Sequence, residues 1–277
     1  MGRGGRGGFR RGEGAFRAER KGRPHVEWLY GRRPVAEALR AGRREFIELR
    51  VSASARDDGA EEELSEIEEL AREAGIRPLD DTRSGITSLL GDVNHQGVAL
   101  KCSPYRYTPF DELLDVAGDE PGATLLFLDH IEDPQNLGSL LRSSDASGVS
   151  GVVIPEDRAA EVTPAAVRAS AGAAEHVNVA KVVNLPRAID EARERGFWMT
   201  GFDFAEDARY YDSIDYSGRV GIVVGNEGRG LSRLVREKCD FIAMLPMLGG
   251  VSSLNAAVAG AIALYEVLRQ RRSAAGK

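Results

Sequence analysis

The apolar positions of this 277-residue chain follow two rhythms, one in each half. In the first half, short helical and strand patterns alternate. "PVAEALRAG" predicts a helix that opens at Pro34, where a missing amide proton costs nothing, and stops at Gly42. "EFIELRVS" alternates apolar and polar positions and predicts a strand. In "EEELSEIEELAREAG", Leu64, Ile67, Leu70, Ala71 and Ala74 share one helical face that Gly75 ends. A short helix near "SGITSLLG" and a strand in "HQGVALKC" complete a compact α/β unit ending near residue 103. "SPYRYTPFDELLDVAGDEPGA" predicts a linker with one short helix.

From Ala123 the pattern becomes regular. Strands "TLLFLD", "GVVIP", "HVNVA", "FWMTGFD", "VGIVVG" and "FIAMLP" are interleaved with helices at Leu137 to Ser147, "PAAVRAS", "LPRAIDEARERG", "LSRLVREKC" and from Ser253 onward. Near-continuous apolar strands separated by helices predict an α/β fold with a mostly parallel sheet covered on both faces. The expected organisation is an Arg/Gly-rich tail over 1–24, a small α/β domain over 25–104, a linker over 105–122 and the larger α/β domain over 123–277.

Composition narrows the class. No stretch has the long charge-free hydrophobicity of a membrane span, and the opening lacks the apolar run of a secretory signal, so the expected home is the cytoplasm. Cys102 and Cys239 lie far apart and the four histidines show no ligand spacing, so neither a disulfide nor a metal site is expected. The formal net charge of −6 conceals an asymmetry: residues 1–24 hold eight Arg or Lys against Glu13 and Glu19, a balance of +6 that leaves −12 on the remainder. "MGRGGRGGFRRGEG" has the composition of a disordered RNA-binding tract, and equally that of a solubilising tail. The acidic remainder argues against broad coating of nucleic acid, though not against a local basic site.

Ligands of open parallel sheets bind beyond the carboxyl ends of the strands, so three loops carry the candidate chemistry. They are "HIEDPQNLGSLLRSSDASG" (130–148), "GNEGRGLS" (225–232) and "PMLGGVSSLNAAVAGAIALYE" (246–266). The glycines of the second loop are spaced G-x-x-G-x-G and come late in the chain, which disfavours a nicotinamide-dependent oxidoreductase. No Gly-Lys-Ser or Gly-Lys-Thr follows them, which excludes a P-loop, and Glu227 would repel a phosphate.

Together these loops resemble the three ordered motifs of the SpoU/TrmH family of RNA 2′-O-ribose methyltransferases, in the SPOUT superfamily. Asn136, Gly138 and Arg142 match the first motif, Gly225, Glu227, Gly228 and Gly230 the second, and Pro246, Met247, Ser253, Leu254 and Asn255 the third. Ala256 and Ala257 depart from the Val and Ser that many relatives carry after the asparagine. The region from "WLYGRRPVAEAL" to "HQGVAL" resembles, more loosely, the small substrate-binding domain of the ribosomal-RNA branch, similar to ribosomal protein L30e.

The resemblance implies a SPOUT domain with a deep trefoil knot, S-adenosylmethionine as methyl donor, a homodimer through the C-terminal domain and no metal. The implied substrate is a guanosine of 23S (large-subunit) ribosomal RNA, with transfer RNA as the alternative. A noncatalytic ribosome-assembly factor of the same fold is disfavoured by the joint presence of Asn136, Arg142, Glu227, Ser253 and Asn255. These five are the implied catalytic group, and Gly225, Gly230, Leu245, Met247 and Leu254 the implied donor pocket.

Each has a plainer role to weigh. Arg142, which the resemblance makes catalytic, could pair with Asp145. An arginine with a pKa above about 12 is an awkward base, so holding phosphate and stabilising an alkoxide suit it better. Asn136 could cap a helix beginning at Leu137, and Ser253 is the favoured cap of the last helix. Glu227 could simply face a helix N-terminus. Leu245 and Leu254 would otherwise be core residues. His95, Gln96 and Gly97 suit a strand-start turn as well as an RNA contact, and His130 is better read as structural than as a base. The small face of the last helix, Ala256, Ala257, Ala259, Gly260, Ala261 and Ala263, suits either a partner's helix or burial within one subunit.

Overall fold

The computed structural model describes residues 26–56, 59–251 and 253–276; the Arg/Gly tail lies outside them. The first half forms β1 (Glu27–Tyr30), α1 (Arg32–Ala41), β2 (Phe46–Ser52), α2 (Glu61–Glu73), β3 (Pro78–Asp81), α3 (Arg83–Leu90) and β4 (Val98–Cys102). Its sheet runs β1-β4-β2-β3, with β4 antiparallel to both neighbours and β2 parallel to β3. The hydrophobic pattern misses β1 and β3, whose four residues each are too short to establish a period. In α2, Leu64, Ile67 and Ala71 are buried as expected, whereas Ala74 lies beyond the last helical residue and is exposed. The acidic face of α2 is held inside this half: Glu63 pairs with Arg32, Glu66 with Arg40, and Glu68 with Arg56 and Arg72.

After α4 (Phe110–Gly118) the second half runs β5 (Thr124–Asp129), α5 (Pro134–Ser147), β6 (Gly151–Pro155), α6 (Pro164–Ala169), β7 (Val179–Val182), α7 (Leu185–Glu194), β8 (Trp198–Phe202), β9 (Arg209–Tyr210), β10 (Val220–Gly225), α8 (Arg233–Lys238), β11 (Phe241–Met244) and α9 (Ala256–Ala274). Seven strands form one sheet, β7-β6-β5-β10-β8-β11-β9, and every pairing in it is parallel. The apolar run of β5 explains itself: Leu126 and Leu128 pack toward α5, α6 and α9, while Leu125 and Phe127 pack toward α4, α7 and α8.

The element that shapes the site is β10. It pairs with β5 from Val220↔Thr124 to Gly225↔Asp129, and with β8 on its other side. The chain therefore reverses its direction of travel across the sheet between β5 and β10, and a crevice opens there at the carboxyl ends. The small face of α9 is spent within the subunit: Ala256, Ala257, Gly260 and Ala263 are buried, and a Cβ at Gly260 would stand 2.4 Å from Leu140 of α5.

Tyr216 is fully buried, and its hydroxyl has no hydrogen-bond partner among the described residues. A buried hydroxyl without a partner costs about 1–3 kcal/mol, so Tyr216→Phe is expected to melt no lower than the parent protein. A loss of more than about 1 kcal/mol in denaturant unfolding would show instead that the hydroxyl is engaged.

Candidate active site

Local capping chemistry decides where the loop side chains point. Helix α5 begins at Pro134, three residues before the expected Leu137, because Asp133 is its cap and accepts the Gln135 amide at 3.0 Å. Asn136 is thus released from capping and sits in the first turn. At α9 the expected cap, Ser253, is also displaced. The helix starts at Ala256, and Asn255 Oδ1 accepts the amides of Ala257 (2.9 Å) and Val258 (3.2 Å). Ser253 is exposed and makes no hydrogen bond among the described residues.

The cap on α9 leaves the Asn255 amide nitrogen free, and it binds the other two loops together. Asn255 Nδ2 donates to Asn136 Oδ1 at 2.8 Å and to Glu227 Oε2 at 3.1 Å, while Asn136 Nδ2 donates to the same carboxylate oxygen at 3.4 Å. Three residues from three separate loops form one hydrogen-bonded triangle. Among the described residues Glu227 is held by neutral amides, not by a helix terminus or an arginine.

Behind the triangle lies a cavity of about 360 Å³ lined by Gly225, Gly230, Leu245, Met247 and Leu254, together with Glu227 and Ser253. All five expected donor-pocket residues therefore face one space. Gly225 closes the tight turn that forms its wall: Gly230 donates its amide to Asn226 O at 2.9 Å, with Gly230 at φ +65°. A Cβ on Gly225 would lie 2.3 Å from the Gly230 carbonyl oxygen, a backbone atom that cannot step aside. Sequence reasoning missed Phe202, Asp203 and Phe204 at this cavity. Phe202 ends β8 and the other two follow it, and the place of β8 beside β10 could have been inferred only from the strand order.

Arg142 stands elsewhere. It lies six residues beyond Asn136 on α5, roughly 9 Å further along the axis. It is exposed and lines a different cleft with Arg32, Arg33, Glu37 and Arg40 of the first half and His176 of the second. It has no hydrogen-bond or ion-pair partner among the described residues, so the simple pairing with Asp145 is not made. His95 is structural: its buried ring accepts the Gly97 amide through Nδ1 and meets Thr87 Oγ1 through Nε2. Gln96 Oε1 accepts the Arg32 amide at 3.2 Å. His130, at φ +58°, bonds through Nδ1 to the buried carboxylate of Asp129 at 2.6 Å, and its carbonyl accepts from Asn226. Burial pushes the thiols of Cys102 and Cys239 up to about 12, which removes both as nucleophiles at neutral pH.

A pocket walled by main chain at the switch point of an all-parallel sheet, with an amide–carboxylate cluster beside it, defines the class as an α/β ligand-binding enzyme fold. The chain belongs to the SpoU rRNA methylase family, whose model matches residues 123–265. A second model, RNA 2′-O ribose methyltransferase substrate binding, matches residues 28–108. An uncharacterized tRNA/rRNA methyltransferase of Mycobacterium avium is 42% identical over 89% of this chain and 78% of its own length. A putative TrmH family tRNA/rRNA methyltransferase of Staphylococcus aureus is 47% identical over 66% of this chain and 73% of its own. Among solved structures, the SpoU methyltransferase AviRb from Streptomyces viridochromogenes, in complex with AdoMet, superposes with a TM-score of 0.72 at 27% identity, covering 89% of this chain and 90% of that one.

The two asparagines are expected to separate in their stability effects. Asn255→Ala removes a cap and should cost about 1 kcal/mol in urea unfolding, while Asn136→Ala, which caps nothing, should stay within about 0.5 kcal/mol of the parent. Equal losses in the two variants would contradict the assignment of the cap.

Proposed function

We propose that this family member transfers a methyl group from S-adenosylmethionine to a ribose 2′-hydroxyl of ribosomal RNA, a guanosine of the large-subunit species being the favoured target. The observation that carries the reading is the convergence of Gly225, Gly230, Leu245, Met247 and Leu254 on one cavity next to the Asn136–Glu227–Asn255 triangle. The cavity is within the ordinary range for small-molecule sites, about 300–1,000 Å³. Its glycine turn brings backbone close to a ligand, and its carboxylate suits a cationic sulfonium where it would reject a phosphate. Bound there, S-adenosylmethionine supplies an electrophilic methyl group.

The residues of the chain would then divide the remaining work. The main chain around Gly225, Leu245 and Leu254 holds the donor. Asn136 and Asn255, locked by Glu227, orient the ribose, and Ser253 at the rim is available to the target nucleotide. Arg142 holds an RNA phosphate and stabilises developing negative charge on the 2′-oxygen. Because Arg142 lies on a face separate from the cavity, we assign it to the pocket of a second subunit, in a homodimer formed through the C-terminal domain. Support comes from an apolar stripe on α9 left partly uncovered by the described residues: Val258 and Tyr265 are about half exposed, with Ile262 between them. We infer in addition that the loops after β10 and β11 form a deep trefoil knot, consistent with the insertion of β10 between β5 and β8 and the return of α9 to α5. The domain limits we favour are 25–104 for the substrate-binding unit, 105–122 for the linker and 123–277 for the catalytic unit.

Ribosomal RNA is preferred to transfer RNA because the small domain matched over residues 28–108 precedes the catalytic one. A cytoplasmic location follows from such a substrate, and no helix among the described residues is long and apolar enough to cross a membrane. Purified protein, labelled donor and unmodified ribosomal or transfer RNA, followed by mapping of ribose methylation, tests the reading. Methylation of transfer RNA alone would replace the favoured substrate, and failure to bind the donor with or without RNA would favour an assembly factor. Arg142→Ala is expected to abolish turnover with donor affinity nearly unchanged, and Gly225→Ala to abolish donor binding in calorimetry. Unchanged turnover in the first variant would remove Arg142 from its role.

A further inference from the structure

The two halves are joined by more than a linker. Glu175, between α6 and β7, has a fully buried side chain, and its partner is Arg44 of the first half, 1% exposed. The contact is bidentate, with Arg44 Nη2 to Glu175 Oε1 at 2.7 Å and Nε to Oε2 at 3.0 Å. No other side chain among the described residues donates to Glu175. Arg44 is in turn fixed by Glu27 at 2.9 Å, by the Ser103 carbonyl at 3.1 Å and by the Tyr105 ring, whose hydroxyl donates to Val177 O at 2.7 Å. Burial alone would lower the Arg44 pKa; the hydrogen bonds and charge of Glu175 outweigh it and hold the guanidinium charged.

Packing around the pair is continuous. Leu29, Val35 and Leu39 belong to the same apolar core as Val167, Ala174 and Val177. At Gly172, with φ +94°, α1 comes so close that a Cβ would stand 2.6 Å from Glu37 Cβ and 3.1 Å from Pro34 Cα. Domains joined only by a linker are expected to move unless their interface is large and apolar. This junction is apolar, interdigitated and pinned by a buried charge pair whose separation would strip Glu175 of the one cation it pairs with among the described residues.

We propose that Arg44 and Glu175 are positioning residues that pin the substrate-binding half to the catalytic half in one orientation, so that the RNA is measured against the donor pocket by a rigid arm. The consequence for catalysis rests on the methyl-transfer reading; the rigidity does not. An RNA that presents its target ribose at the wrong distance from its docking surface is excluded by geometry, without a base contact at the target.

Pulsed electron-electron distance measurements on the full chain test this, with spin labels at Glu62→Cys and Arg187→Cys, one on each half, in a Cys239→Ala background. Labelled protein is diluted with unlabelled chain so that intrachain distances are read. One narrow distance distribution is expected, unchanged when ribosomal RNA from a strain lacking the gene is added. A broad or two-peaked distribution, or a shift with RNA, overturns the proposal even if the variants below fail to fold. Glu175→Gln is expected to broaden the distribution and raise the KM for RNA about ten-fold or more, with kcat and donor affinity within about two-fold. Arg44→Lys, which keeps the charge and loses the bidentate fork, should fall between Glu175→Gln and the parent. A purely structural role would lower the active fraction and kcat while leaving KM in place, and an unchanged KM with Glu175→Gln likewise overturns the proposal. Absence of methylation by the parent protein would refute the functional reading alone, since the distance measurement stands without it.

Discussion

The pairing of β10 with β5 is the constraint on which the site depends. These strands are far apart in the chain, yet their register places Gly225 beside Asp129, so the glycine turn and the start of α5 emerge side by side. On the other flank β8 and β11 end level with them, bringing in Phe202 and Met244. The approach of Asn136 to Glu227 follows from that alignment. Slipping one strand by a residue would turn Gly225 outward and leave the Gly230 carbonyl facing a side chain, because neighbouring strand positions point to opposite faces.

Given the alignment, a single residue does most of the joining. Asn255 spends its carbonyl oxygen on two orphan amides at the start of α9 and its amide nitrogen on Asn136 and Glu227. An aspartate would cap as well but would offer no donor and would repel Glu227; a serine would cap and fall short of the other loops. Structural and site roles are here one geometry. Helix initiation fixes the side chain, and the fixed side chain holds Glu227, which lines the cavity.

Much of this was legible in the chain. The alternation of apolar strands and helices was enough to expect a parallel sheet covered on both faces, and "VGIVVG" and "TLLFLD" coincide with β10 and β5 residue for residue. The cavity-lining residues Gly225, Gly230, Leu245, Met247 and Leu254 were legible through ordered motifs, not through periodicity, since Leu245 and Leu254 carry no signal that separates them from core. What failed was local competition. Two residues within one turn of each other can each cap a helix, and the winner at α5 was Asp133 over Asn136, at α9 Asn255 over Ser253, residue types that cap about equally well and that the sequence pattern does not separate. Strands β1 and β3 were invisible because four residues are too few to set a period, and the lining contributed by Phe202–Phe204 because it depends on which strand lies beside which.

Arg142 marks the limit of reasoning from one chain. Its helix is placed by burial of Leu137, Leu140 and Leu141, and that same packing turns residue 142 outward, toward the first half and away from the Glu227 carboxylate that Asn136 reaches. A side chain cannot cross roughly 9 Å of helix to rejoin residues one and a half turns behind it. An exposed guanidinium is satisfied by water, so the fold asks nothing further of Arg142, which has no ionic partner among the described residues. The same logic distinguishes it from Arg44, which is buried, paired and committed to holding the halves together. One guanidinium lies open to solvent, the other neutralises a carboxylate inside the protein, and the difference lies in what surrounds each.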